Sequence, residues 1–325
     1  MKFLKYSLIF FGILILFVGG FFFYGSSSNI SDREHSRLFH SKATDAFQKQ
    51  DSTFSVLTYN IGYLSGMTNN TTDKPDQKFF EANLKKAIHL LEQLNPDIVA
   101  LQEIDYNSWR SYEMDQETEL ALDRYPYTAR AVNWDKKYVP FPYGLPSVHF
   151  GKVVSGQSIL SKFKIEKQKI DTLQQVASAP FYYNSFYLER LAQAAVIKIG
   201  KKEVAIINVH LEAFDAPTRK VHTEYVLKLY QKYVKNYPTI ILGDFNSSPD
   251  EKESTILPFL QAGIRSAALN PQKPEYTYSS EKPESRLDYI FYSDHLVLHD
   301  SKVVKEAGTI SDHLPVMARF SFGGK

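Results

Sequence analysis

The chain contains no cysteine. That excludes disulfides, thiolate zinc sites, a cysteine nucleophile and a lipid-modified N-terminal cysteine. Nor is charge of one sign in excess: 38 Lys and Arg stand against 36 Asp and Glu, a formal net charge of +2. This balance argues against binding nucleic acid by bulk charge and leaves room only for a local basic patch. No low-complexity run or tandem repeat follows the N-terminal segment, and no Pro/Gly/Ser linker is long enough to separate two domains. Hydrophobic residues at 43% and charged residues at 23% are ordinary for a globular protein and exclude disorder over most of the chain. Without thiolates, any metal site has to use carboxylate, amide or imidazole ligands. Oxygen-rich sites of that kind favour hard cations such as Mg²⁺.

One long hydrophobic run is present. Leu8 to Tyr24 is apolar apart from glycines, with Lys2 and Lys5 in front. At 1.5 Å rise per residue it spans roughly 25 Å, near the short limit for crossing a bilayer. Gly25-Ser26-Ser27-Ser28 matches a signal-peptide cleavage site only weakly. The aromatic end Phe21-Phe22-Phe23-Tyr24 suits an interface. Residues 1–25 are therefore expected to be an uncleaved single-pass membrane anchor, with a cleaved signal segment as the alternative. Because the lysines precede the span, the positive-inside rule puts the rest of the chain outside the cytoplasm, periplasmic or extracellular. Residues 26–52 are polar and mixed in charge, and read as a stalk with a short helix near Ser41 to Gln50. Residues 53–322 read as one domain, expected to be monomeric.

Within that domain, apolar runs alternate with helical periodicity. Leu84, Ala87, Ile88, Leu91 and Leu94 recur at helical spacing before Asn95-Pro96, which predicts a helix from about Lys78 to Leu94. A second helix is predicted from Pro217 to about Lys235. Short β-type runs end on polar groups: Phe54–Tyr59 on Asn60, Asp97–Gln102 on Glu103, Val204–Val209 on His210, and Thr239–Gly243 on Asp244 and Asn246. Arg286 to Ser293, carrying Asp288, is another such run, and Asp312-His313 precedes a last strand from Val316 to Phe320. Apolar strands stacked in a core bring their ends to a common rim, so these polar groups are expected to meet.

Taken singly, each group has a plain structural reading as a turn residue, a cap or a satisfied core histidine. Taken together they suit metal-assisted phosphoester hydrolysis. Crowded carboxylates repel one another unless a cation sits among them. Amides and imidazolium donors complement phosphate oxygens. A carboxylate can orient or deprotonate water while a cationic donor steadies the developing charge.

The strings Leu57-Thr58-Tyr59-Asn60, Leu101-Gln102-Glu103, Asn208-Val209-His210-Leu211, Gly243-Asp244-Phe245-Asn246, Leu287-Asp288-Tyr289-Ile290-Phe291 and Ser311-Asp312-His313-Leu314-Pro315-Val316 resemble the endonuclease/exonuclease/phosphatase superfamily. Gly156 to Lys162 does so as well, and the resemblance runs in order through nearly all of residues 54–320. It implies an α/β fold, a four-layered α/β/β/α sandwich with two mixed β-sheets, here preceded by one N-terminal transmembrane helix. It further implies Mg²⁺, with Mn²⁺ as the alternative, held by Glu103 with Asn60 and Asp312. By the same resemblance His210 stabilises phosphoryl oxygens, Asp244 handles the attacking water and Asn246 contacts phosphate. Asp312 would fix the tautomer of His313, which contacts phosphate or acts as general acid/base, and Asp288 would orient the histidines.

The superfamily includes deoxyribonucleases, abasic-site endonucleases, sphingomyelinases and inositol polyphosphate phosphatases, so it leaves the substrate open. No DNA-penetrating loop or basic face is evident, and a lipid head group or small-molecule phosphoester fits a membrane location better than nucleic acid. An extracytoplasmic nuclease and a non-catalytic binding platform remain as alternatives. Phe181 to Tyr187 and Tyr138 to Phe150 are aromatic enough for a membrane-facing surface, although a packed strand and a Pro-rich loop is the preferred reading. The continuation His210 to Asp215 differs from the nuclease and sphingomyelinase strings and is similar to an exported bacterial branch. Its Glu212, with Arg219, either lines the pocket or solvates a helix start.

Overall fold

The computed structural model describes residues 2–41, 53–268 and 275–323. Among these residues, one mixed sheet runs in the order β1 (Ser36–His40), β4 (Tyr127–Val139), β5 (Gly151–Ser161), β3 (Ile98–Asp105), β2 (Thr53–Asn60), β13 (Val316–Phe322) and β12 (Leu296–Val303). The other runs β10 (Arg265–Ala267), β11 (Asp288–Tyr292), β9 (Thr239–Asp244), β8 (Lys202–His210), β7 (Leu191–Ile199) and β6 (Lys164–Thr172). Each sheet has one parallel pair, β2 with β3 and β8 with β9; the other pairs are antiparallel. The helices are α1 (Lys2–Ser26), α2 (Gln77–Leu94), α3 (Gln116–Ala121), α4 (Phe181–Asn184), α5 (Ala216–Tyr233) and α6 (Leu257–Gln261).

The two long amphipathic helices form the outer layers. Asp76 caps α2 by accepting from the Phe79 amide, and Asn95 ends it in the left-handed conformation, with Pro96 barring a further turn. Leu84, Ala87, Leu90 and Leu91 bury against the first sheet. Asp215 caps α5 through the Thr218 amide, and Val226 and Leu229 pack on the second sheet with Ile207, Ile241 and Phe291. Both predicted helices are thus present within two residues of their expected ends, and the four-layered α/β/β/α sandwich is the observed fold.

The layer between the sheets is not wholly apolar. Gln102 donates to Asn208 Oδ1 (2.6 Å), and Asn208 Nδ2 donates to the Leu101 carbonyl and to Gln193 Oε1. Gln193 in turn donates to the Ala129 carbonyl, and Gln157 to the Asn208 carbonyl. These buried amides bolt the sheets together beneath the rim. Asn208→Leu would strand several of them without partners, and we expect a loss of about 3 kcal/mol in chemical denaturation. A change under about 0.5 kcal/mol would mean the network adds nothing beyond packing.

Strand direction sets the rim. The C-terminal ends of β2, β3, β4, β8 and β9 lie at the same edge of the sandwich as the N-terminal ends of β5, β7, β11 and β13. Gly243 lies where β9 crosses closest to β8: an added Cβ would stand 1.9 Å from the Val209 carbonyl oxygen.

Two expectations need correction. Part of the supposed stalk belongs to the sandwich: Ser36–His40 pairs with β4, because its backbone completes an open sheet edge. The Asn29 amide and side chain bind the Asp135 carboxylate at 2.7 and 2.9 Å. The helix expected near Ser41 to Gln50 lies outside the described residues. The segment Phe181 to Tyr187 is not a packed strand but a short helix and turn whose first rings face outward. Helix α1 is long and apolar enough to cross a membrane, by length and composition.

Candidate active site

At the rim, β3 carries an irregularity. Register with β5 shifts between Leu101 and Ile104, and Glu103 takes a positive φ of 51°. The bulge leaves Gln102 in the inter-sheet network and turns Glu103 out into the cleft. There Glu103 Oε2 accepts from Asn69 Nδ2 (2.8 Å), and Oε1 lies 3.7 Å from His210 Nε2. Burial pushes the Glu103 carboxyl above the usual range, and the Asp312 carboxylate pushes it further.

Asn60, at the end of β2, bridges to the second sheet. Its Nδ2 donates to Asp244 Oδ2 (2.9 Å), and its Oδ1 accepts from the Gly62 amide (3.1 Å). Asp244 also accepts from the Asn246 amide at 2.9 Å and from Asn246 Nδ2 at 3.3 Å. Asn246 has a φ of 49°, which bends the chain back over Asp244. Burial pushes the Asp244 acid up to about 7, against the pull of His313.

His313 faces Asp244 with Nε2, 3.8 Å from Oδ2, while its Nδ1 lies 2.9 Å from Asp288 Oδ2. Burial opposes protonation of this imidazole, but the Asp288 and Asp244 carboxylates outweigh it and hold His313 well above its ordinary value. The carboxylate paired with the His313 ring is therefore Asp288 and not its sequence neighbour Asp312. Asp288 begins a strand beside the ring, whereas Asp312 accepts from its neighbour Ser311 (3.2 Å) and lies half-buried on the Glu103 side.

His210 is governed by a residue that the sequence reading did not include. Arg190 Nη1 donates to His210 Nε2 at 2.5 Å, which leaves that nitrogen without a proton and the ring neutral. Burial and then the Arg190 charge hold His210 well below its ordinary value. Arg190 itself is buried, with Tyr187 Oη at 3.2 Å and the Glu212 carboxylate at 3.5 Å. Its only sequence signal is an arginine directly before the apolar run of β7. Asn69 sits in a loop and had no signal at all. Arg219 donates to the Glu212 and Ala213 carbonyls and so fastens the loop, while the Glu212 carboxylate accepts from the Phe214 amide and pairs with Arg190.

The structure thus brings Asn60, Glu103, His210, Asp244, Asn246, Asp288, Asp312 and His313 into one cluster at the rim, with Arg190 and Asn69. Two places in it suit a cation. Ligand atoms of Asp244, Asp288 and His313 lie within 4.8 Å of one another, but His313 and Asp288 already spend theirs on a mutual hydrogen bond. The Asp312 carboxylate raises the Glu103 acid, and a hard divalent ion between these two carboxylates would relieve that repulsion.

A two-sheet sandwich with this rim chemistry is the architecture of phosphoester hydrolases. The sequence profile of the Endonuclease/Exonuclease/phosphatase family matches residues 57–313, and the chain belongs to that family. An endonuclease/exonuclease/phosphatase from Beutenbergia cavernae is similar in structure, with a TM-score of 0.61 at 19% identity over 84% of this chain and 72% of that one. A mannosyl-6-phosphatase from Bacteroides thetaiotaomicron gives a TM-score of 0.58 at 18% identity, covering 83% of this chain and all (100%) of the other. An uncharacterised Caenorhabditis elegans protein is 23% identical over 235 residues, 66% of this chain and 73% of its own.

Proposed function

We propose that the chain is a divalent-metal-dependent phosphoesterase, tethered by α1 with its cleft outside the cytoplasm and acting on a lipid head group or small-molecule phosphoester. The observation that carries this reading is the meeting of Glu103, Asp244 and the Asp288–His313 pair, from both sheets, in one cleft. Glu103, Asn60 and Asp312 would hold Mg²⁺, with Mn²⁺ as substitute; when bound, the ion polarises the phosphoryl group. Asp244, held by Asn60 and Asn246, takes the proton of the attacking water as its oxygen forms a bond to phosphorus. The ester P–O bond opposite breaks, and His313 Nε2 gives its proton to the departing oxygen. The second ring proton stays on His313 Nδ1, which donates it to Asp288 Oδ2, and this hydrogen bond keeps the imidazole aligned. The Arg190 guanidinium supplies the positive charge beside the remaining phosphoryl oxygens, while Asn246 spends its side-chain donors on the Leu211 carbonyl and Asp244.

The full chain, supplied with Mg²⁺, Mn²⁺ or Ca²⁺, should release phosphocholine, inositol phosphate or a comparable head group from a phosphoester panel. Excess chelator, Glu103→Ala and His313→Ala should each abolish release. Plasmid nicking in place of head-group release would move the reading to a nuclease, and inactivity with every metal and substrate would leave a binding platform. Arg190→Ala should lower kcat about 100-fold and let the His210 proton move between ring nitrogens, visible in ¹⁵N NMR. Arg190→Lys should recover little, since an ammonium cannot reach His210, Tyr187 and Glu212 together. Full activity in the lysine variant would assign Arg190 only a charge.

A further inference from the structure

Helix α1 does not end in a free linker. Its last two turns lie on the domain: the Phe21 ring is 5.6 Å from Tyr138, and Phe22 is 5.9 Å from Phe181 and 5.5 Å from Phe186. Gly25 is buried there, and an added Cβ would come within 3.1 Å of both Phe186 and the Tyr138 carbonyl. The Lys137 amide donates to the Ser27 carbonyl and Lys136 Nζ to the Ser26 carbonyl. Asp135 holds Asn29 and Ile30, and β1 then joins β4. A flexible stalk would let the domain wander by roughly 5–6 Å times the square root of its length. Here the helix passes into the domain with no such freedom.

The loops that receive the helix also border the cleft. Residues 139–150 connect the rim ends of β4 and β5, and 180–190 lead into the rim end of β7. On them Tyr143, Leu145 and Phe181 are 74–75% exposed and Tyr182 is 58% exposed. Large rings displayed beside the end of an apolar helix, with Lys136 and Lys137 alongside, match the chemistry of a bilayer interface. From this loop Tyr187 reaches Arg190, and Arg190 reaches His210.

We infer that α1 and these two loops form one bilayer-docking surface, which holds the mouth of the cleft against the membrane and makes the substrate a phospholipid-class phosphoester of the adjacent leaflet. This rests on the anchored phosphoesterase reading above. The occupant is the bilayer because the surface is continuous with the one helix, among the described residues, able to cross it.

The absence of cysteine makes the test clean. The full chain carrying Tyr182→Cys or Glu203→Cys is labelled with an environment-sensitive dye and reconstituted in phosphatidylcholine vesicles; Glu203 lies at the far end of the sandwich, at the start of β8. At 182 the dye should shift to the blue, resist aqueous iodide and be quenched by nitroxide lipids. At 203 it should behave oppositely. Equal iodide quenching at the two positions would overturn the docking surface, and protein that fails to float with vesicles would overturn the anchor together with it. Tyr143→Ser/Tyr182→Ser should lower hydrolysis of vesicle phospholipid at least roughly tenfold while leaving hydrolysis of soluble bis(p-nitrophenyl) phosphate unchanged. Unchanged lipid hydrolysis, or equal loss on both substrates, would refute the inference. A wild-type chain inert to both would sink the phosphoesterase reading and the lipid substrate, while the dye positions would still decide docking.

Discussion

Glu103→Gln is expected to lower phosphoester hydrolysis by roughly a thousandfold and to leave a metal-free protein that is more heat-stable than the parent. The two effects share one cause. Glu103 is presented by a bulge with a positive φ, deep in the cleft, beside the Asp312 carboxylate. Burial and that neighbour raise its acid, which means that folding works against the ionised form. The sign follows: at neutral pH the folded chain keeps a carboxylate at a cost, and a neutral amide of the same shape removes the cost. The amide oxygen introduced by the substitution can still accept from Asn69, so the local backbone has no reason to move. What is lost is the charge that would hold a divalent ion, and with it the polarisation of the phosphoryl group. Thermal melting in chelator reads the stability, and a Mg²⁺ titration of turnover reads the affinity. A variant that kept wild-type turnover would remove Glu103 from the metal site.

Asp244→Asn should cost a comparable factor, roughly a thousandfold in kcat, with KM changed little. Asp244 is almost fully buried, and its acid is pushed up to about 7. An acid poised there can take a proton from water and release it again, which a carboxylate of ordinary acidity does poorly. The amide preserves shape but accepts no proton. The new amide oxygen can still accept from Asn60 Nδ2 while Asn60 Oδ1 keeps the Gly62 amide, so the two sheets stay joined at this point. Steady-state kinetics on a soluble phosphodiester, with the denaturation midpoint measured alongside, separates lost chemistry from lost structure. An equal fall in kcat and stability would mean that Asp244 is a structural bridge.

Much of this site was legible because strands buried on both faces read as apolar runs, and a polar residue at the end of such a run marks the rim. Asn60, Glu103, His210 and Asp244 were found in that way. Helices α2 and α5 were legible from periodicity and from their Asp caps and Pro or Asn boundaries. Arg190 escaped because nothing local distinguishes it from an arginine at a strand edge; its meaning comes from His210 and Glu212, which approach from other segments. Asn69 escaped for the same reason, being brought to Glu103 by a loop. The pairing of His313 with Asp288 alone is likewise tertiary: the resemblance implied Asp312 as well, but a side chain beside another in sequence usually points elsewhere. The docked strand β1 lacked an apolar run, since its residues are exposed and its stabilisation comes from backbone pairing with β4.

The most direct measurement is electron–nuclear double resonance on the full chain loaded with Mn²⁺ and inorganic phosphate. A single bound ion with a ³¹P coupling of contact size, lost in Glu103→Gln, is the predicted result. Mn²⁺ bound equally well by that variant, or bound with no phosphorus nearby, would contradict the account.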